Sequence, residues 1–255
     1  MFFTSEIKPY RDSTAGKKEQ IETMFDRIAP KYDFLNHTLS FGIDKWWRGK
    51  AIRLIASNSP ETLLDVATGT GDFAIAALKS GAKKITGIDI SKEMVAVGVE
   101  KVKALGLEDK IELMTGDSES IQFPDNSFDA ATVAFGVRNF ENLGGGLDEL
   151  FRVLKQGGTL CVLEFSKPRN ALVKLGYKFY SNSLMPWIGR LVSGDRSAYT
   201  YLPESVEGFP DGENFITFMA KSGFVQIQEY RLTFGIATIY IGRKGPFDKL
   251  RASKG

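Results

Sequence analysis

The chain has 255 residues, 43% of them hydrophobic and 25% charged, with a net charge of +2. That is ordinary globular composition, and so small a net charge implies no nucleic-acid partner. One cysteine, Cys161, excludes an internal disulfide, and with the lone histidine, His37, it argues against a structural metal cluster.

Residues 1–6 lack the apolar core of a signal peptide and the Arg-rich character of a transit leader. No run approaches the ~18 apolar residues of a spanning helix. The expectation is a soluble, cytoplasmic chain. Residues 17–28 read as a helix, because Ile21, Met24, Phe25 and Ile28 recur at i, i+3, i+4 and i+7. Pro30 disfavours its continuation past Ala29. A dense stretch follows, Tyr32-Asp33-Phe34-Leu35-Asn36-His37 and Ser40-Phe41-Gly42. A second helix, 44–55, places Trp47, Ala51, Leu54 and Ile55 on one face. A nucleotide-binding sheet does not need residues 1–60, so they are expected to form a helical lid over its active edge.

The chain is organised around residues 62–74. Leu63, Leu64, Val66 and Ala67 make a buried-strand run that Asp65 interrupts. Gly69 and Gly71 then allow a sharp turn and leave N–H groups at the start of a helix, a place for a polar ligand. Gly69-x-Gly71-x-x-Ala74 fits the dinucleotide fingerprint but does not by itself name a cofactor.

Regular alternation follows. Strands are expected at 84–89, 111–114, 128–135 and 159–164, with helices at 72–80, 92–105 and 147–154 between them. Ser91 N-caps the second of these helices, and Gln156-Gly157-Gly158 reads as a turn. Residues 165–210 read as irregular. A helix at 212–221 and two β runs, 224–232 and 236–243, close the chain as an antiparallel hairpin. The pattern predicts one α/β domain with a doubly wound, Rossmann-like, mostly parallel sheet of seven strands. Its parts are a helical cap (1–60), a cofactor-binding sheet (61–165), an insertion (166–211), the closing helix and hairpin (212–243) and a tail (244–255).

Three acids bear on the cofactor. Asp89 ends the second strand, 20 positions after Gly69, where it can accept both hydroxyls of a ribose. That spacing suits NAD equally. Asp65, aimed at the glycine turn, repels a pyrophosphate but suits a cationic amino acid. Asp117-Ser118 follows the third strand, where a carboxylate can accept from an adenine amino group and a backbone N–H can donate to a ring nitrogen. A dehydrogenase would also repeat its βαβ half rather than close with a hairpin. Singly, Asp65 can cap the turn, Asp89 can cap a helix and Asp117 can be a loop acid. Together, at the strand ends of one sheet, they point to S-adenosylmethionine, with an NAD-dependent reductase as the competing reading.

Several motifs carry a family resemblance. They are Lys31-Tyr32-Asp33, Leu39-Ser40-Phe41-Gly42, Trp46-Trp47-Arg48, the 64–72 glycine motif, Phe135-Gly136-Val137-Arg138-Asn139 and Leu163-Glu164-Phe165-Ser166-Lys167-Pro168. From about Phe25 to Arg243 the chain resembles the ubiquinone/menaquinone-biosynthesis C-methyltransferases. The resemblance implies a class I S-adenosylmethionine-dependent methyltransferase fold. It implies methyl transfer to a ring carbon of a polyprenylated quinol, demethylmenaquinol first and the ubiquinone-pathway intermediate as alternative. It also implies donor contacts at Thr70, Asp89, Asp117 and Ser118. Ala134 stands where some members carry serine, so a hydroxyl contact from that position is absent here.

A ring carbon becomes nucleophilic when the adjacent hydroxyl loses its proton. Arg138, at the active edge after the fourth strand, is the first candidate to stabilise the phenolate or orient a water. Asn139, as a hydrogen-bond partner of the substrate oxygen, and Tyr32 in the lid come next. His37 is a weaker candidate base, and Cys161 reads as core. Between Glu164 and Asp195 there are no acids, but Lys167, Arg169, Lys174, Lys178 and Arg190 are present, with Leu172, Leu175 and Phe179 at i, i+3 and i+7. Tyr177, Tyr180, Met185 and Trp187 add bulk. This segment, 167–192, reads either as a basic amphipathic contact with an anionic membrane face, putting the chain peripherally on the inner face of the cell membrane, or as a homodimer contact.

Overall fold

The computed structural model describes residues 7–40, 42–170, 173–176 and 196–245. Among them, seven strands form one sheet in the order β3-β2-β1-β4-β5-β7-β6. The strands are β1 (Thr62–Val66), β2 (Lys84–Asp89), β3 (Ile111–Thr115), β4 (Phe128–Ala134), β5 (Leu154–Phe165), β6 (Phe224–Leu232) and β7 (Ala237–Lys244). The first five run parallel, and β7 lies antiparallel between β5 and β6.

Strand alternation assigns side chains to two faces. On one face Leu64, Val66, Val133 and Val162 meet α6 (Leu143–Val153) and α8 (Glu213–Lys221), through Leu147, Leu150, Phe215 and Met219. On the other, Leu63, Ile85, Ala130, Cys161 and Leu163 meet α3 (Ile43–Ala56) and α4 (Asp72–Ala77), through Trp47, Ala51, Ile55, Phe73 and Ala74. Cys161 is a core residue, and burial pushes its thiol pKa up.

The lid is helical. α1 (Lys17–Ile28) buries Ile21, Met24 and Ile28. A short 3-10 turn, Ala29–Lys31, leads into α2 (Tyr32–Leu39), and Gly42, left-handed at φ 72°, starts α3. α5 (Lys92–Ala104) carries its Ser91 cap, which accepts from the Met94 N–H.

Three local expectations differ. The dense stretch after Pro30 is the helix α2. The expected turn at 156–158 is an irregularity inside β5: Gly157 has φ 75°, and the pairing with β4 slips between Phe128 and Ala130. The irregular stretch 165–210 contains α7 (Arg196–Gly208), with Pro203 inside it. Of the basic amphipathic segment, residues 171–172 and 177–192 lie outside the described residues.

Candidate active site

The carboxyl ends of β1 to β4 open into a cleft that α1 and α2 roof. The backbone is strained where it is built. Ala67 after β1 (φ 55°) and Phe135 after β4 (φ 57°) are both left-handed, rare for residues with a Cβ, and both line the cleft. Gly136 permits this crossing, since a Cβ there would lie 2.4 Å from the Ala67 Cβ. Gly71 is left-handed at φ 80° and N-caps α4.

Asp89 lines the cleft from the end of β2 and is 8% exposed. Its Oδ2 accepts from the Gly69 N–H at 2.7 Å and its Oδ1 from the Ser91 N–H at 2.9 Å. Burial nevertheless pushes it up to about 6. Asp117 and Ser118 line the wall beyond β3. Asp117 holds the ammonium of Lys18 at 2.7 Å and accepts from the Glu119 N–H at 2.8 Å. Ile90 and Met94 line the same cleft, apolar surface of the kind a flat base covers. Asn139, Tyr32, Ala134 and Phe135 also line the cleft. Tyr32 packs edge-on to Phe25 with ring centroids 6.0 Å apart, and burial pushes its phenol pKa up.

The remaining candidates stand behind the lining. Asp65, 1% exposed, accepts from Thr132 Oγ1 at 2.6 Å and Thr68 Oγ1 at 2.7 Å, and burial pushes it up to about 6. Folding thus favours the neutral forms of Asp65 and Asp89. That contribution to stability is present below about pH 4 and is lost as pH rises through about 6. Thr70 sits in a polar cluster that joins lid to turn. Its hydroxyl donates to Asp33 at 2.5 Å, and the Lys101 ammonium bonds both Asp33 (2.5 Å) and Asp72 (2.8 Å). His37 belongs to the same cluster, between Asp44 (3.1 Å) and Asp72 (3.3 Å), and not to the cleft lining. Arg138 is the main displacement. It is 6% exposed, outside the lining, with Nη1 on Glu164 at 2.9 Å and on the Phe135 carbonyl.

Sequence reasoning missed Lys18, Ile90 and Met94. Ile90 and Met94 carried a signal, being apolar residues just after the Asp89 strand end; Lys18 carried none.

A seven-stranded sheet with a closing antiparallel hairpin, and acids at three neighbouring strand ends, define a class I S-adenosylmethionine-dependent methyltransferase. Two solved structures share the fold. The cyclase SpnF superposes with a TM-score of 0.62 at 21% identity, covering 89% of this chain and 97% of that one. A putative S-adenosyl-L-methionine-dependent methyltransferase from Methanococcus maripaludis gives 0.62 at 20%, covering 88% and 95%. The chain belongs to the ubiE/COQ5 methyltransferase family, whose model matches residues 13–244. It is 51% identical over 241 residues to the demethylmenaquinone methyltransferase of Bacteroides fragilis, covering 94% of this chain and 98% of the relative. It is 50% identical over 230 residues to the ubiquinone/menaquinone biosynthesis C-methyltransferase UbiE of Geotalea daltonii, covering 89% and 97%.

Proposed function

We propose that the chain methylates a ring carbon of a polyprenylated quinol, converting demethylmenaquinol to menaquinol. The observation that carries this reading is one cleft lined by Asp89, Asp117-Ser118 and Asn139 in a member of this family. The residues fit the donor: a buried carboxylate for a ribose diol, apolar Ile90 and Met94 with a polar Asp117-Ser118 edge for adenine, and a glycine turn for the amino-acid end. S-adenosylmethionine supplies an electrophilic methyl group on a sulfonium. The chain positions and desolvates. Asp89 accepts the ribose hydroxyls, Gly69, Gly71 and Thr70 shape the turn, and the buried Asp65 gives that turn a negative field. Asn139 donates to the quinol oxygen, and Tyr32 covers the reacting face. Arg138 acts from behind the wall, setting the backbone of the 137–139 turn through Glu164. Positioning of this kind is worth ~7–11 kcal/mol in well-oriented reactions.

The quinol's apolar tail calls for a lipid-facing surface. No helix among the described residues is long and apolar enough to cross a membrane. Trp46 (52%) and Phe234 (81%) are exposed, and their sequence neighbours meet: Trp47 Nε1 donates to Thr233 Oγ1 at 2.8 Å, joining α3 to the hairpin tip. The Lys50 ammonium lies 5.9 Å from the Trp46 ring. We read this surface, with the 167–192 segment, as a peripheral contact with anionic lipid.

One experiment tests both claims. Labelled methyl from S-adenosylmethionine is followed into short-chain demethylmenaquinol, and into the ubiquinone-type acceptor, in anionic and in neutral vesicles. Label in menaquinol, faster on anionic vesicles, is expected. Label only in the ubiquinone-type acceptor overturns the pathway. Equal rates on both vesicles overturn the lipid contact and leave a second copy of the chain as the cover for that face.

A further inference from the structure

The methyl-transfer reading leaves unexplained how the short turn carrying Asn139 is held. Asn139 ends a 3-10 turn, Val137–Asn139, that follows β4, and two backbone hydrogen bonds of its own close it, from the Asn139 N–H to the Gly136 carbonyl at 2.9 Å and from the Phe140 N–H to the Val137 carbonyl at 3.3 Å. A turn this short does not fix a carboxamide. Three outside groups grip it. The Lys17 ammonium from the lid donates to the carbonyls on either side, Arg138 at 3.3 Å and Phe140 at 3.0 Å. Glu164 accepts from the Arg138 N–H at 3.2 Å. The third grip comes from α7, one turn of which presents Tyr201 and Ser205 at i and i+4.

We propose that α7 is the positioning element of the active site, with the Tyr201 hydroxyl aiming the Asn139 carboxamide and Ser205 seating the Arg138 guanidinium. Tyr201 donates to Asn139 Oδ1 at 3.1 Å. With its oxygen occupied behind the wall, the carboxamide offers its N–H groups to the cleft, which matches an oxygen acceptor such as a quinol or quinolate. Ser205 Oγ accepts from Arg138 Nε at 3.3 Å and donates to the Leu202 carbonyl at 2.8 Å, so its own orientation is set by α7. Tyr201 is 3% exposed and belongs to one apolar cluster with Ile21, Met24 and Ile28 of the lid and Met94 of α5. One side chain therefore joins the lid's core to the residue facing the acceptor. A lid seated on its own core aims Asn139; a lid that shifts takes the Tyr201 hydroxyl with it. Tyr201 and Ser205 touch no substrate in this arrangement and act through Asn139 and Arg138.

This inference rests on the methyl-transfer reading, so its test has two independent readouts. Tyr201→Phe removes a single oxygen and keeps the packed ring. It is expected to lower kcat about tenfold, with donor affinity unchanged. Asn139→Ala is expected to cost as much or more, and the double variant no more than Asn139→Ala alone. Losses that multiply overturn the coupling. The second readout needs no turnover: the side-chain amide resonance of Asn139, assigned by its absence in Asn139→Ala. It should shift and exchange faster with solvent in Tyr201→Phe. An unaltered amide signal overturns the clamp even where methyl transfer is intact. A wild-type chain with a protected amide but no methyl transfer overturns the methyl-transfer reading instead.

Discussion

Asp89→Asn is expected to weaken S-adenosylhomocysteine binding by roughly 100–1,000-fold, measured by calorimetry. Hydrogen bonds to a charged group are worth ~1.5–3 kcal/mol each, and a ribose diol makes two to one carboxylate. The backbone partners do not prevent this. Gly69 and Ser91 take one lone pair on each oxygen, and Asp89 still lines the cleft. The same residue predicts a pH profile. Burial holds Asp89 at about 6, so affinity in the wild type is full above that pH and falls about tenfold per unit below it. The proton that binds is one the ligand must displace. In Asp89→Asn that contribution is lost, because asparagine does not titrate, and the pH dependence left is that of Asp65. A wild-type profile flat from pH 8 to pH 5 would contradict the assignment.

Arg138→Ala is expected to destabilise the fold by ~3–5 kcal/mol, since it strands Glu164 as an unpaired buried charge. Glu164 is 0% exposed and Arg138 6%. Burial pushes the Glu164 carboxyl up, and the guanidinium beside it works against that rise. For a chain of this length the loss corresponds to a fall in Tm of roughly 6–20 °C. Lost activity in this variant alone therefore says nothing about chemistry. The companion Arg138→Met/Glu164→Gln removes both charges and keeps an acceptor for one of the two backbone N–H groups, at 138 and 165, that Glu164 serves. It is expected to recover part of the stability while kcat stays ~10–100-fold down, because Ser205 and the Phe135 carbonyl lose their guanidinium partner. Wild-type Tm in Arg138→Ala, read by calorimetry, would show that the ion pair carries no stability.

The sheet was legible because the central strands β1 to β4 are short runs rich in apolar residues that alternate with helices, and because α1 repeats its apolar residues with a period of 3.6. What failed had local causes. α7 combines Pro203 with Tyr, Thr and Ser and has no clean apolar stripe in sequence, so packing against the lid and the 137–139 turn decides its form. Gly157 and Gly158 look like a chain reversal, yet they fall in a bulge between Leu154 and Thr159, both of which pair with β4. In the site, Gly69, Asp89, Asp117, Ser118, Asn139 and Tyr32 come together around one cleft, since strand ends and the lid face the same way. Asp65, Thr70, Gly71 and Arg138 stand behind it. Their partners lie 67, 37 and 26 positions away for Asp65, Thr70 and Arg138, through Thr132, Asp33 and Glu164. One hint was available: an acid at Glu164, closing an otherwise apolar strand, needs a buried cation, and arginine is the side chain best suited to that role.

The central claim is that the cleft at the ends of β1 to β4 is a methyl-donor site. Titration of the wild-type chain with S-adenosylhomocysteine and, separately, with NADH tests it most directly. Binding of S-adenosylhomocysteine at one site per chain, with no heat from NADH, is the predicted result. Binding of NADH without S-adenosylhomocysteine would contradict it.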